Sequence, residues 1–208
     1  MTLEWRRSGN EKPSVVRRVA FSFSFGMKFF EGTPLTPAVW DEVRALLPEV
    51  PGLVVGHSLG GQRAMRYALE VGASRLVLLC TRDRPFPGFL AAAARVRQGV
   101  AVEETLARWF QPGEAGPVVE YARRCLLEAD RDSWALDLES IAEFSFDVSL
   151  LTMPVLVVAA EFDGVSTPEV MEAMAARMPQ GRFVLWEGAG HLSPFLDAAR
   201  LAELLRCG

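Results

Sequence analysis

The stretch Leu53-Val54-Val55-Gly56-His57-Ser58-Leu59-Gly60-Gly61 constrains this chain more than any other. Its first residues are apolar and β-branched and read as a short buried strand. Glycines then allow a tight turn, and Gly61-Gln62-Arg63-Ala64-Met65-Arg66-Tyr67-Ala68-Leu69 is compatible with a helix. The turn holds one serine in the pattern Gly-X-Ser-X-Gly. A sharp strand-to-helix turn of this kind strains the serine's backbone and lifts its hydroxyl above the sheet edge. Gly56 and Gly60 leave room for close backbone approach. The first N–H groups of the helix have no partner within it and aim at the same point. This context predicts Ser58 as a nucleophile. The alternative is a glycine-rich turn with an incidental serine.

Strands and helices alternate around this stretch. Residues 3–8 read as a short strand, and Asn10-Glu11-Lys12-Pro13 as a turn. Phe21-Ser22-Phe23-Ser24-Phe25 alternates strictly, so Val15 to Gly26 is predicted as a strand and Met27 to Pro34 as a loop. Thr36-Pro37 opens a helix carrying Val39, Val43, Leu46 and Leu47 on one face, closed by Pro48 and Pro51-Gly52. Arg75 to Cys80 is an apolar strand of the parallel-sheet type. From Arg82 to about Ser149 strand signals vanish, and helices are predicted at Ala91–Arg97, Val102–Phe110, Val118–Ala129 and Ser133–Phe144. Sheet logic resumes at Pro154–Ala160, followed by a helix opened by Thr167-Pro168, a strand at Arg182–Trp186 and a helix at Leu196–Arg206. The pattern predicts an α/β fold, a mostly parallel sheet with helices on both faces. Residues 1–82 and 150–208 form its core, and 83–149 a helical cap insertion. Ligands of such sheets bind at the carboxyl ends of the strands. Ser58, Asp163 and His191 each follow a strand.

A serine hydroxyl needs a base at neutral pH. The chain has two histidines. His57 adjoins Ser58, and its side chain is expected to point away from it, which leaves His191, in a loop with Gly188 and Gly190, as the candidate. A carboxylate must orient the imidazole and stabilise its charged form. Asp163 is best placed, with Glu161 and Asp147 as rivals. An oxyanion hole needs two backbone N–H donors. Leu59 is the expected first. Phe25 is the expected second, with Gly26 and Met27 as neighbours, because Phe25-Gly26 ends the clearest strand before the nucleophile.

Composition narrows the function classes. Of 208 residues, 50% are hydrophobic and 23% charged, which fits a globular chain rather than a disordered one. A net charge of −4 argues against a general nucleic-acid binder. Cys80, Cys125 and Cys207 are an odd, widely spaced set with no CxxC pair, which predicts no disulfide framework and no metal site. Three free thiols fit a reducing cytoplasm. No apolar run has the length of a signal peptide or a membrane span. The expectation is a cytoplasmic protein with no membrane or nucleic-acid partner and a small-molecule substrate, with a homodimer admitted.

Gly56-His57-Ser58-Leu59-Gly60-Gly61, Glu161-Phe162-Asp163 with Pro168, and Gly190-His191-Leu192 together resemble the α/β-hydrolase superfamily, from about Pro51 to the C-terminus. The chain order Ser…Asp…His is also that of the superfamily. Leu106-Ala107-Arg108-Trp109-Phe110-Gln111-Pro112 looks like the cap of 3-oxoadipate enol-lactonases, and Ser22-Phe23-Ser24-Phe25-Gly26 is similar to a stretch those lactonases carry. Related carboxylesterases share the plan. The resemblance implies an α/β-hydrolase fold, a Ser58/Asp163/His191 triad, no cofactor and a small ester or lactone substrate. Enol-lactonase substrates are small dicarboxylic lactones, which implies an anionic substrate group. Trp109, Phe110, Trp134 and Arg108 are the expected pocket residues, with Arg95, Arg97, Arg123 and Arg124 as further cap arginines. Only about thirty residues separate Phe25 from Ser58, and the Asp-X-X-Gly-X-Gly turn common in the superfamily is absent. One strand–helix unit is therefore expected to be missing, a shortened N-terminal part. Two other functions fit the same residues: an acyltransferase or C–C bond hydrolase using the same triad, and a non-catalytic binding protein with an incomplete oxyanion hole.

Overall fold

The computed structural model describes residues 26–35, 50–99, 101–193 and 197–207. Five described strands make one sheet: β1 (Lys28–Phe30), β2 (Leu53–His57), β3 (Arg75–Leu79), β4 (Val155–Ala160) and β5 (Gly181–Trp186). They lie side by side in chain order, and every neighbouring pair is parallel. Helix α1 (Leu59–Glu70) connects β2 to β3, α6 (Pro168–Ala175) connects β4 to β5, and α7 (Ala198–Cys207) follows β5.

The apolar strands have no polar side because both faces are covered. Leu53, Val55, Val77, Leu79, Leu156 and Val158 face Leu201, Ala202 and Leu205 of α7. The alternate residues Val54, Leu76, Leu78, Val155, Val157 and Ala159 face Ala64, Met65 and Ala68 of α1 and Met171, Met174 and Ala175 of α6. Successive side chains of a strand point to opposite faces, so one continuous run serves two cores. All these strands run in the same direction, and their carboxyl ends share one edge, where Ser58 follows β2 and the Asp163 loop follows β4.

Four helices lie between β3 and β4: α2 (Gly88–Arg97), α3 (Val102–Trp109), α4 (Pro117–Glu128) and α5 (Arg131–Glu143). α2 and α4 begin earlier than expected, α2 directly after Pro87 and α4 at Pro117, whose fixed φ suits a first turn. The Asp130 side chain caps α5 by accepting from the Ser133 N–H at 2.8 Å. These helices share a core of Phe89, Val96, Leu106, Trp109, Trp134 and Leu138, among others. That core includes Leu59 and Leu192, the residues directly after Ser58 and His191. The inserted helices therefore pack onto the strand-end edge. Arg95, Arg97 and Arg123 pair with Glu104, Glu139 and Glu103 on the exposed side.

The expected loop from Met27 to Pro34 is corrected, since Lys28–Phe30 is a strand paired to β2, with Phe29 opposite Val55. Three residues carry too short a pattern to announce a strand. Here the ladder to β2 makes it one. Phe29 enters the core on the α7 side, and Phe30 meets Tyr67 of α1 at 5.5 Å between ring centroids. The strands expected at 3–8 and Val15–Phe25 and the helix from Thr36 lie outside the described residues. Gly26 is described and belongs to no strand. No described helix is long and apolar enough to cross a membrane.

Leu78 is fully buried between β2 and β4 beneath α1. Leu78→Ala is expected to destabilise the fold by about 2–5 kcal/mol, through lost transfer free energy and the cavity left behind. Urea denaturation of the two proteins measures it, and a loss near zero would place the core elsewhere.

Candidate active site

Ser58 has φ 54° and ψ −122°, a backbone conformation that side-chain-bearing residues rarely adopt. Such strain costs about 1–3 kcal/mol and persists only where the surroundings over-determine it. Here they do. The Ser58 N–H donates to the Leu79 carbonyl at 3.0 Å, and the Ser58 carbonyl accepts from Gly61 N–H at 2.9 Å and Thr81 Oγ1 at 2.6 Å. Each flanking glycine meets a neighbour. A Cβ on Gly56 would lie 2.5 Å from the Gly60 carbonyl oxygen, and one on Gly61 would lie 2.6 Å from the Thr81 side chain. A Cβ on Gly60 would collide with the Phe30 carbonyl of β1.

Asp163 and His191 come together across the same edge. The His191 Nδ1–H donates to Asp163 Oδ2 at 2.8 Å, and both side chains are buried. Asp163 Oδ1 accepts from Val165 N–H at 2.7 Å and Ser166 N–H at 2.9 Å. With Nδ1 carrying the proton, Nε2 of His191 holds the lone pair that a general base needs. Ser58 Oγ makes no hydrogen bond with His191 in this structure, and such contacts commonly tighten only around a bound substrate. The rivals of Asp163 are engaged elsewhere. Glu161 accepts from Gly188 N–H at 2.8 Å, and Asp147 accepts from the Ser149 N–H and hydroxyl at 3.1 and 2.7 Å.

The end of α3 holds both loops in place. Gly164 N–H donates to the Arg108 carbonyl at 3.1 Å, and His191 N–H to the Trp109 carbonyl at 2.8 Å. Gly190 lies so close under Trp109 that no side chain fits there. The Trp109 indole stacks on the His191 ring at 5.9 Å and 24°. Ser58 lines a cavity of about 250 Å³ walled by Thr33, Phe89, Trp109, Trp134 and Val165. Arg108 also lines it from an exposed position. Phe110 is buried in the helical core and is not part of that wall.

Leu59 is buried and starts α1, so its N–H is free of any intrahelical partner, as expected for an oxyanion donor. Phe25 lies outside the described residues. Its neighbours Gly26 and Met27 precede β1, and the parallel register of Lys28 with Val54 puts them at the edge opposite Ser58. The turn that does follow β1 is Glu31-Gly32-Thr33-Pro34-Leu35, closed by Leu35 N–H to the Gly32 carbonyl at 3.1 Å. A Cβ on Gly32 would lie 3.0 Å from the Ser58 Cβ, and Thr33 lines the cavity beside Ser58. The only sequence signal for this turn was the Gly32/Pro34 pair.

Two more residues serve the site without having been expected to. His57 Nε2–H donates to the His191 carbonyl at 2.8 Å, and the two rings lie 4.8 Å apart. Burial, with the neighbouring His191 adding to it, pushes the His57 pKa well down, so the ring is neutral. The Cys80 thiol is buried against Asp163. Burial, the Asp163 charge and a hydrogen bond to that carboxylate push its pKa well up. The ligand atoms of His57, Cys80 and His191 lie within 4.8 Å of one another. A metal would need a thiolate there, which the burial and Asp163 oppose. The trio suits a hydrogen-bonded support.

The chain matches the model of the Alpha/beta hydrolase family over residues 4–204. It is similar to the solved thermophilic esterase from Thermogutta terrifontis with malate bound, at 26% identity over 86% of this chain and 87% of that one, with a TM-score of 0.71. A hydrolase from Pseudomonas aeruginosa PA01 is similar at 27% identity over 82% of this chain and 68% of that one, with a TM-score of 0.67. The enol-lactonase from Burkholderia xenovorans LB400 shares the fold at 19% identity, over 81% of this chain and 68% of that one, with a TM-score of 0.66. No curated protein sequence matches the chain. With a parallel sheet, a strained serine turn at its carboxyl edge and a matching family model along nearly its whole length, the chain belongs to the alpha/beta hydrolase family.

Proposed function

We propose that this chain is a serine hydrolase of small carboxylic esters or lactones that works through an acyl-enzyme. The observation that carries the reading is the buried hydrogen bond from His191 to Asp163, at the same sheet edge as the strained Ser58 turn. Ser58 Oγ attacks the carbonyl carbon while His191 Nε2 takes the hydroxyl proton. Asp163 stays ionised and stabilises the imidazolium. The alkoxide leaving group departs with a proton from His191, and water attacks the acyl-enzyme by the same steps in reverse roles. The negative oxygen of each tetrahedral intermediate is held by the Leu59 N–H and by the Thr33 N–H of the turn after β1. The helices over the strand ends act as a cap, and the 250 Å³ cavity limits the substrate to a small one. The similarity to a thermophilic esterase at 26% identity supports ester hydrolysis.

Ser58→Ala is expected to abolish hydrolysis of p-nitrophenyl butyrate, and a fluorophosphonate should label the peptide containing Ser58. Labelling of a different serine, with the variant still active, would sink the reading. Asp163→Asn should lower kcat by about 10⁴-fold with the fold intact. A Ser58→Ala/His191→Ala double variant should be scarcely worse than either single one, because the three act as a unit. If Glu161→Gln or Asp147→Asn removed activity and Asp163→Asn did not, the acid would be misassigned. Thr33→Pro, which deletes one N–H, is expected to lower kcat by about 10²–10³-fold with little change in KM. An unaltered kcat would move the second oxyanion donor away from this turn.

A further inference from the structure

In the proposed reaction the His191 ring becomes positively charged twice, when it takes a proton from Ser58 and again when it takes one from water. That charge arises in a place nearly closed to solvent, because His191 is 1% exposed. Asp163 balances it from the Nδ1 edge of the ring, at 2.8 Å. A carboxylate at one edge leaves the ring faces to other neighbours. Two rings pack against the imidazole. His57 lies 4.8 Å away at 52°, and burial keeps that ring neutral. Trp109 lies 5.9 Å away at 24°, close to parallel and within the range of offset stacking. The Cys80 sulfur lies within 4.8 Å of a nitrogen of each histidine, and burial and the Asp163 charge keep its thiol protonated. Among these neighbours Asp163 alone carries a charge. Trp109 alone offers an indole face, the aromatic surface that attracts a cation most strongly.

The indole is fixed where it stands. It is 5% exposed and packs in the core of the inserted helices with Phe89, Trp134 and Leu138. The Trp109 carbonyl accepts the His191 N–H at 2.8 Å, so the main chain also ties the two residues together. Gly190 permits this close approach, since a Cβ there would lie 2.4 Å from the Trp109 carbonyl oxygen. A cavity wall needs only bulk, which leucine supplies. Here a backbone hydrogen bond, a glycine approach and a ring contact all bring one indole to one imidazole. Attraction between a cation and an aromatic face is worth most where water is excluded, and both members of this pair are buried.

We infer that Trp109 is a positioning residue for the base: its indole holds the His191 ring and stabilises the imidazolium by cation–π attraction. The inference rests on the serine-hydrolase reading, because it needs His191 to become charged. The attraction appears only once the proton has moved, so it lowers the barrier rather than tightening substrate binding. The inserted helices then do more than enclose the substrate. They supply part of the electrostatic stabilisation of the transition state.

The test replaces Trp109 in the full chain with indoles carrying one, two, three and four fluorines, inserted at a nonsense codon in place of the Trp109 codon. Fluorine draws electron density from the ring face and leaves its size almost unchanged. With p-nitrophenyl butyrate, log kcat should fall stepwise along the series, by about tenfold in total, with KM nearly constant. The rate of fluorophosphonate labelling at Ser58 should fall in the same order, since His191 takes the Ser58 proton there too. A flat series, or one in which only KM moves, would overturn the inference and leave Trp109 as a wall of the cavity. Trp109→Phe keeps a smaller π face and should retain more kcat than Trp109→Leu, and equal kcat for the two would overturn it as well. The fluorinated series decides the matter if Trp109→Leu does not fold. A wild-type chain that neither hydrolyses the ester nor takes the label would defeat the serine-hydrolase reading and this one with it. An active, labelled wild type with a flat series defeats the cation–π role alone.

Discussion

The buried carboxylate of Asp163 is the interaction on which the rest of the edge depends. A carboxylate removed from water costs several kcal/mol unless its lone pairs are filled. Here three donors fill them: two backbone N–H groups of its own loop and the His191 imidazole. The loop and the histidine lie far apart in the chain, and each is fixed in turn. The loop that carries Val165 and Ser166 is tied through Gly164 to Arg108. His191 is held by its own N–H on Trp109 and by its carbonyl on His57. Cys80 continues β3, with its N–H on the Val158 carbonyl of β4. One buried carboxylate thus ties its own loop and the His191 loop together, and the inserted helices hold both.

What could be read in the sequence was what local chemistry determines. The Ser58 turn is legible because its glycines and its apolar strand lie within nine consecutive residues. His191 is legible by exclusion, and Asp163 by its place after a strand. The turn after β1 was not legible. Lys28, Phe29 and Phe30 become a strand only through their pairing with Val54, Val55 and Gly56, which a local reading cannot see. The strict alternation of Phe21 to Phe25 drew the oxyanion assignment to Phe25, and the turn beside Ser58 lies several residues further on. Long-range partners were hidden for the same reason. His57 meets the carbonyl of a residue 134 positions away, and Arg177 meets Asp83 across 94. The cap arginines illustrate the opposite error. Their composition suggested anion binding, and pairing with glutamates on neighbouring helices absorbs most of them.

The short path from β1 to β2 has a simple structural expression. In the described sheet the strands follow one another in chain order, with β1 directly beside the nucleophile strand. The close approach of Gly60 to the Phe30 carbonyl, and of Gly32 to Ser58, therefore forms without an intervening described strand. Loss of a strand–helix unit upstream is compatible with this edge because the contacts that shape the serine turn come from β1, β3 and the start of α1.

The carbonyls of Arg108 and Trp109 also bear on how molecules get in and out. Many enclosed cavities open by a hinged lid that swings away from a rigid catalytic floor. Here the ceiling and the floor share hydrogen bonds, Gly164 to Arg108 and His191 to Trp109. A rigid-body swing of α3 would pull on the loops carrying both Asp163 and His191. Traffic that leaves the machinery assembled must instead pass by side-chain rearrangement. The half-exposed Phe86 and the solvent-facing Arg108 both border the cavity on its outer side.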